Sequence, residues 1–374
     1  MTAVCIIGGG FGGREAAGML AKNGGFDVTV IDRRATSDFL PMLPDVLSGR
    51  AATERMAVPL EQEAERGGWR FVQDEALGID CENRKVHGRD RNYGYDVLVV
   101  ASGTETNFYG NEDARRAAFT LDDAAEAERL RRAAEDETYR HVVIVGGSYT
   151  GIEIATHLRR LYRQRDRRMP ILIVEIADTI LGRLPEWMKR YADRNLDRME
   201  IEVAVDNEVK EASPDAVILA DGRRIERPLL IWAAGVKASG CTDDLDVEKS
   251  RNGRLKVGRD LRIGEREFAV GDAALWMREG GQELRMAVQF ALTQGRCAAA
   301  NIVRLAAGKA LRSYRPVDLG FIVPMANGRS CGRVLGVPVR GRFCTCFHYL
   351  MCVYRAVGIA RKWRVTTDLL GSDA

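Results

Sequence analysis

"VCIIGGGFGGREAAGMLAKNGGFDVTVID", residues 4 to 32, decides the fold. Val4 to Ile7 is a short apolar run of the kind a buried parallel strand shows. It enters Gly8-Gly9-Gly10-Phe11-Gly12-Gly13, which satisfies G-x-G-x-x-G at Gly8, Gly10 and Gly13. The first glycine permits a tight turn, the second lets a pyrophosphate approach the backbone, and the third lets a helix pack close to the strand. A helix predicted over 14–22 points its N-terminal N–H groups and dipole at the phosphates, and Gly24-Gly25 stops it. "FDVTVID" then reads as an alternating strand ending in Asp32, where an acid accepts hydrogen bonds from an adenosine ribose. The glycine pattern alone is weak evidence. Strand, glycine turn, helix, strand and terminal acid in order are strong evidence.

The same order returns further on. Val142 to Val145 is an apolar strand, followed by Gly146-Gly147-Ser148-Tyr149-Thr150-Gly151. Ser148 stands where the middle glycine is usual. A helix is predicted over 152–161, and "ILIVE" ends in Glu175. That carboxylate suits a free ribose 2′-hydroxyl, and no arginine follows immediately to receive a 2′-phosphate, so NADH is favoured over NADPH. The expected fold is α/β, with two Rossmann-like dinucleotide-binding domains. Two dinucleotides in one chain suit a flavin and a nicotinamide cofactor, with a hydride passing from one to the other and no protein nucleophile needed.

The bulk properties fit such a protein. A chain of 374 residues implies two or three domains, and 46% hydrophobic with 29% charged residues is an ordinary globular balance. A net charge of +3 gives no argument for nucleic acid. The basic run "RRLYRQRDRR", residues 159 to 168, is better explained as cations at a helix C-terminus. Eight cysteines occur without a C-x-x-C pair or metal-ligand spacing. No metal site is therefore expected, and reduced thiols in a cytoplasmic protein are the plain reading. The sequence opens directly on a strand, with no signal peptide expected.

Further segments carry a resemblance to the two-dinucleotide flavoprotein superfamily. "YDVLVVASGTETN", residues 95 to 107, resembles the strand closing the first flavin segment. "LLIWAAGVKAS", 229 to 239, resembles the return from the nicotinamide domain, and "FAVGDAALW", 268 to 276, resembles the flavin motif whose aspartate holds the ribityl chain. Within the superfamily the chain is most similar to type II NADH dehydrogenases, the single-subunit NADH:quinone oxidoreductases. "GGSYTGIE", "IWAAGVKAS", the quinone-side segment "AVQFALTQG" (287 to 295) and the tail carry that similarity.

The resemblance implies FAD on Gly8, Gly10, Phe11, Gly13, Asp32, Arg33, Ala76, Ala101, Ser102, Gly103, Gly271, Asp272 and Val288. It implies NADH on Gly146, Ser148, Tyr149, Thr150, Gly151, Glu175, Ala234 and Gly235. Glu153 and Gln289 are the candidate catalytic residues, Glu153 beside the nicotinamide and flavin rings. Gln289 and Gln294 are the candidate quinone-binding residues. The sequence departs from the family where Thr293 takes the place of the segment's second glutamine. It departs again where "FLPMLPDVLSG", 39 to 49, lacks the usual glutamine before its proline, and at 318 to 336. Residues 33 to 60 contain no cysteine, which excludes the dithiol chemistry of the glutathione-type relatives.

The expected layout is 1–108 for the first part of the FAD domain, 109–233 for an inserted NADH domain and 234–310 for the rest of the FAD domain. Residues 311–374 are read as a membrane-docking or interface segment. In "FCTCFHYLMCVYRAVGIARKW", from Phe343, the residues Phe343, Phe347, Leu350, Met351 and Tyr354 make one apolar helical stripe. Arg340, Arg342, Arg361 and Arg364 flank it, and His348, Arg355 and Lys362 share another face. A helix of this kind lies in a membrane interface or packs against protein. Cys344, Cys346 and Cys352 are read as small apolar fillers. The expected protein is thus a homodimeric, peripheral enzyme on the cytoplasmic face of the inner membrane, passing electrons from NADH through FAD to a quinone. Rival readings are a soluble reductase of a small redox protein and an FAD/NADH-binding signalling protein resembling apoptosis-inducing factors.

Overall fold

The computed structural model describes residues 1–355, and the chain divides into two compact units. The first is formed by Met1–Ser37, Val58–Glu105 and Val236–Asp318; the second by Asp38–Ala57, Thr106–Gly235 and the chain from Leu319.

In the first unit the opening apolar run is the centre of a five-stranded sheet. The order is Glu267–Ala269, Val97–Val100, Thr2–Ile7, Phe26–Asp32 and Arg70–Gln73, and every pairing is parallel. Val4, Ile6, Val30, Leu98 and Val99 are buried. This is why these strands read as continuous apolar runs: a parallel sheet is covered on both faces. Helix Phe11–Asn23 follows the glycine turn and ends at Gly24, whose φ of 67° few other residues adopt. Helix Val288–Ala306 crosses it at Gly12 and Gly295, where a Cβ on Gly295 would lie 2.4 Å from the Gly12 carbonyl oxygen. The glycine that ends the "AVQFALTQG" segment is therefore a packing residue.

The second unit repeats the plan with four parallel strands, ordered Ile201–Ala204, Ile171–Val174, His141–Val145 and Pro228–Trp232. Helix Tyr149–Gln164 follows its glycine turn. Helix Ala124–Glu135 is N-capped by the Asp123 side chain and buries Ala124, Ala127, Leu130 and Ala134 beneath its charged outer face. Arg159, from the basic run, donates to the carbonyls of Met169 and Glu200, at 3.0 and 2.6 Å, and so braces the framework. Strands Gly320–Val323, Cys331–Val334 and Val337–Arg340 form an antiparallel sheet leading into helix Arg342–Arg355.

On that last helix three residues of the predicted apolar stripe are exposed, Phe343 at 71%, Leu350 at 62% and Tyr354 at 70%, while Phe347 and Met351 are half-buried. Cys344 and Cys352 are buried fillers as expected, but Cys346 is exposed and fills nothing. Arg361, Lys362 and Arg364 lie outside the described residues. Among the described residues no helix is long and apolar enough to cross a membrane.

Candidate functional site

In the first unit each glycine of the fingerprint meets a different demand. Gly8 has φ +103°, and a Cβ there would sit 2.2 Å from the Ala101 carbonyl oxygen. A Cβ on Gly13 would lie 1.9 Å from the Gly8 carbonyl oxygen, so helix and strand approach as closely as backbones allow. Around Gly10 a Cβ would meet nothing within 4 Å. That open space at a helix N-terminus is what a pyrophosphate needs. Asp32 Oδ2 accepts from the Gly9 N–H at 2.8 Å and Oδ1 from the Arg34 N–H at 2.9 Å. The carboxylate thus pins the glycine turn and keeps lone pairs for a ribose.

The other flavin-side residues gather in the same unit. Ala101 follows strand Val97–Val100 and donates its N–H to the Ile7 carbonyl at 2.7 Å, ahead of Ser102 and Gly103. Phe11 opens the first cradle helix, and Val288 opens helix Val288–Ala306. Ala76 begins strand Ala76–Asp80; Arg33 is exposed, 3.8 Å from Glu75. Gly271 has φ +69° and donates its N–H to Gln294 Oε1 at 2.7 Å. Gln294 is therefore buried and engaged in holding the turn that carries Asp272. Burial raises the Asp272 pKa, while the Arg254 guanidinium pulls it back.

Sequence reading missed Arg254, a buried side chain that donates to the carbonyls of Asp272 and Ala274, at 3.0 and 2.6 Å. Gln289 is also buried, with Nε2 3.5 Å from Asp318 Oδ1, and the same carboxylate pairs with Arg285 and Arg278. Thr293, in the place of the family's second glutamine, bonds the Tyr314 hydroxyl at 2.7 Å.

The second unit builds the matching cradle. Gly146 has φ +111°, and a Cβ on Gly151 would lie 1.9 Å from the Gly146 carbonyl oxygen. Ser148 takes φ −81°, a conformation open to any residue, so this middle position requires a small side chain and no glycine geometry. Ser148 and Thr150 are exposed at the start of the helix; the Tyr149 ring stands edge-on to Phe321 at 6.0 Å. Glu175 repeats the clamp: Oε2 accepts from the Gly147 N–H at 2.7 Å and Oε1 from the Ala177 N–H at 2.9 Å. Tyr109, not anticipated from sequence, donates its hydroxyl to the Ala234 carbonyl at 3.2 Å beside Gly235.

Glu153 lies on the first turns of helix Tyr149–Gln164, with part of its side chain accessible. Burial first, and then the like charge of Asp45, push its carboxyl well above the usual range. A carboxyl held toward its protonated form has a proton to give. Among the described residues no group of three or more metal-ligating side chains converges.

A protein-family model described as pyridine nucleotide-disulphide oxidoreductase matches residues 2–295. The type II NADH:quinone oxidoreductase of Haemophilus influenzae is 26% identical over 402 residues, covering 92% of this chain and 90% of that protein. The demethylphylloquinone reductase NdbB of Synechocystis is 28% identical over 372 residues, covering 94% and 91%. In fold, the chain is similar to a structure of NDH2 from Plasmodium falciparum in complex with NADH. That match has a TM-score of 0.87 at 15% identity and covers 100% of this chain and 98% of that one.

Proposed function

We propose a function from one premise: the chain belongs to the pyridine nucleotide-disulphide oxidoreductase family, whose model spans most of its length. Within that family it is an FAD-dependent NADH:quinone oxidoreductase. The observation that carries this is the pair of cradles of one design, each clamped by its own acid. The relatives that match it over more than nine-tenths of its length, and that act on quinones by name, support it. FAD, when bound, supplies the two-electron chemistry, accepting a hydride and passing the electrons on. Gly8, Gly10, Gly13, Asp32 and Asp272 hold it; Gly146, Gly151 and Glu175 hold NADH. Glu153 exchanges the proton that quinone reduction consumes. Gln289, buried and oriented by Asp318, is the amide that would hydrogen-bond a quinone carbonyl.

The test is anaerobic. One equivalent of NADH should bleach the visible flavin band, and a short-chain quinone should restore it within the turnover time. Bleaching with no recovery would discard the quinone.

The Glu175 clamp leads to a second expectation. The protein should favour NADH over NADPH, and Glu175→Gln should lower that preference at least about tenfold, as for the loss of a hydrogen bond to a charged group. Paired kcat/KM measurements decide it, and an unmoved ratio would remove Glu175 from ribose recognition.

The exposed side chains of Phe343, Leu350 and Tyr354 support docking on lipid, which we place at the cytoplasmic face. Burying such a side chain contributes about 1.5 kcal/mol or more. Phe343→Glu with Leu350→Glu should therefore weaken sedimentation with anionic vesicles roughly a hundredfold, and oxidation of NADH by a water-soluble quinone should persist. Unchanged sedimentation would refute the docking.

A further inference from the structure

The second unit encloses a polar cluster that the reading above leaves unused. It draws on three stretches far apart in the chain: 45–50, helix Tyr149–Gln164 and helix Arg342–Arg355. Asp45, Ser48, Arg50 and His157 are all buried. The Tyr349 hydroxyl donates to Asp45 Oδ1 at 2.7 Å and accepts from Arg50 Nη1. Arg50 also donates to the Ala326 carbonyl at 3.1 Å and lies 3.7 Å from Asp45. His157 Nδ1 meets Ser48 Oγ at 2.8 Å, and its Nε2 stands 3.8 Å from Asp45 Oδ1. Glu153 precedes His157 by four residues, which sets both on one face of the helix.

Packing alone does not account for this cluster, since apolar residues of the same volume would hold the helices as well or better. Two acids, Asp45 and Glu153, and a base, His157, share it, and His157 Nε2 faces Asp45 Oδ1. Around Asp45 stand Arg50, Tyr349, Arg160, His157 and Glu153, while helix Ala124–Glu135 buries only apolar side chains. Burial outweighs the cations and raises the Asp45 carboxyl to about 6. Burial, then Arg50, Arg160 and His348, drive His157 well below its ordinary value, so it is neutral at pH 7. A neutral imidazole with one nitrogen on Ser48 offers the other for proton traffic.

We propose that Asp45, His157 and Tyr349 form a proton-loading relay for Glu153, in which Asp45 keeps Glu153 protonated, His157 passes in the replacement proton, and Tyr349 positions Asp45. The proposal rests on the quinone-reductase reading, in which NADH, one proton and a quinone give NAD⁺ and a hydroquinone. The electrons leave NADH as a hydride, which accounts for one hydrogen of the hydroquinone; the O–H of Glu153 breaks as the second O–H of the hydroquinone forms. Glu153 and Asp45 are then both ionised. Their mutual repulsion draws one proton from water by way of His157 Nε2 and restores the singly protonated pair. Asp45 and Tyr349 are positioning residues here, acting through Glu153.

The test follows the carbonyl stretch of protonated carboxyl groups by infrared difference spectroscopy across pH, on the FAD-loaded protein without NADH or quinone. A protonated buried carboxyl should persist at pH 7. Asp45→Asn should lower its midpoint by about one unit or more, because the like charge is gone. Tyr349→Phe should raise the Asp45 midpoint by about one unit, the size of a lost hydrogen bond to a charged group. The basic limb of the pH profile for quinone-linked turnover should shift down in Asp45→Asn with the infrared midpoint. Absence of a protonated carboxyl at pH 7 in the unaltered protein would overturn the proposal without any variant. So would an Asp45→Asn protein whose turnover drops equally at every pH with its midpoint unmoved. If quinone fails to reoxidise the flavin, the functional reading and the relay's role in it fall together, and the infrared midpoints still decide whether Asp45 and Glu153 are coupled.

Discussion

Gly151→Ala is expected to purify yellow yet bleach with NADH at least about a hundredfold more slowly than the unaltered protein, while Gly13→Ala is expected to purify without flavin. Both substitutions ask a Cβ to sit 1.9 Å from a carbonyl oxygen, of Gly146 in one cradle and of Gly8 in the other. No side chain can yield there, because both neighbours are backbone. The helix must move away from its strand by more than an ångström, and its N-terminal N–H groups move with it. A displacement of about 1 Å at a binding site costs on the order of a hundredfold in rate. Flavin absorbance after gel filtration and stopped-flow bleaching under nitrogen check the pair. Equal damage from both substitutions would mean that the two cradles are not assigned to separate cofactors.

Glu153→Gln is expected to separate the two half-reactions. Bleaching by NADH should remain within severalfold of normal, since hydride delivery to the flavin does not draw on this carboxyl. Recovery on quinone addition should slow by about a hundredfold, the ordinary contribution of a positioned acid. The amide keeps the shape of the protonated carboxyl and removes only the proton it can give. Double-mixing stopped-flow measures both steps on one sample. If bleaching slows and recovery does not, Glu153 serves NADH binding, and its raised pKa is incidental to quinone reduction.

How much could be read from sequence follows from the distance over which each feature is built. The cradles are local: strand, glycines, helix and acid lie within about thirty residues, so their order alone shows the plan. The departure at Ser148 was also legible, and its φ of −81° explains why it does no harm. Gln294 looked like a ligand by its place in a motif, but its oxygen is bonded to Gly271, a partner that no periodicity reveals. Arg254 gave no signal, because arginines are read as surface residues and its carbonyl partners are set by tertiary folding. The Asp45 cluster is the extreme case. Tyr349 reaches Asp45 across most of the chain, and residues 38–57 group with the second unit although they lie within the stretch expected to be flavin domain. The apolar stripe from Phe343 to Tyr354 was visible from helical spacing; which of its neighbours turn inward, as Tyr349 does, was not.

The paired carboxylate clamps carry one further consequence, for the kinetics of nucleotide exchange. Asp32 and Glu175 each tie their own glycine turn to the end of the adjoining strand through backbone N–H groups of this chain. Ordering a flexible residue costs about 1–2 kcal/mol of conformational entropy, and a loose glycine loop would charge that cost to every arriving nucleotide. Here each loop has its shape from intramolecular bonds alone. Association should therefore proceed at encounter-limited rates, with little dependence on loop folding, and differences in affinity among nucleotides should be expressed in how fast each one leaves.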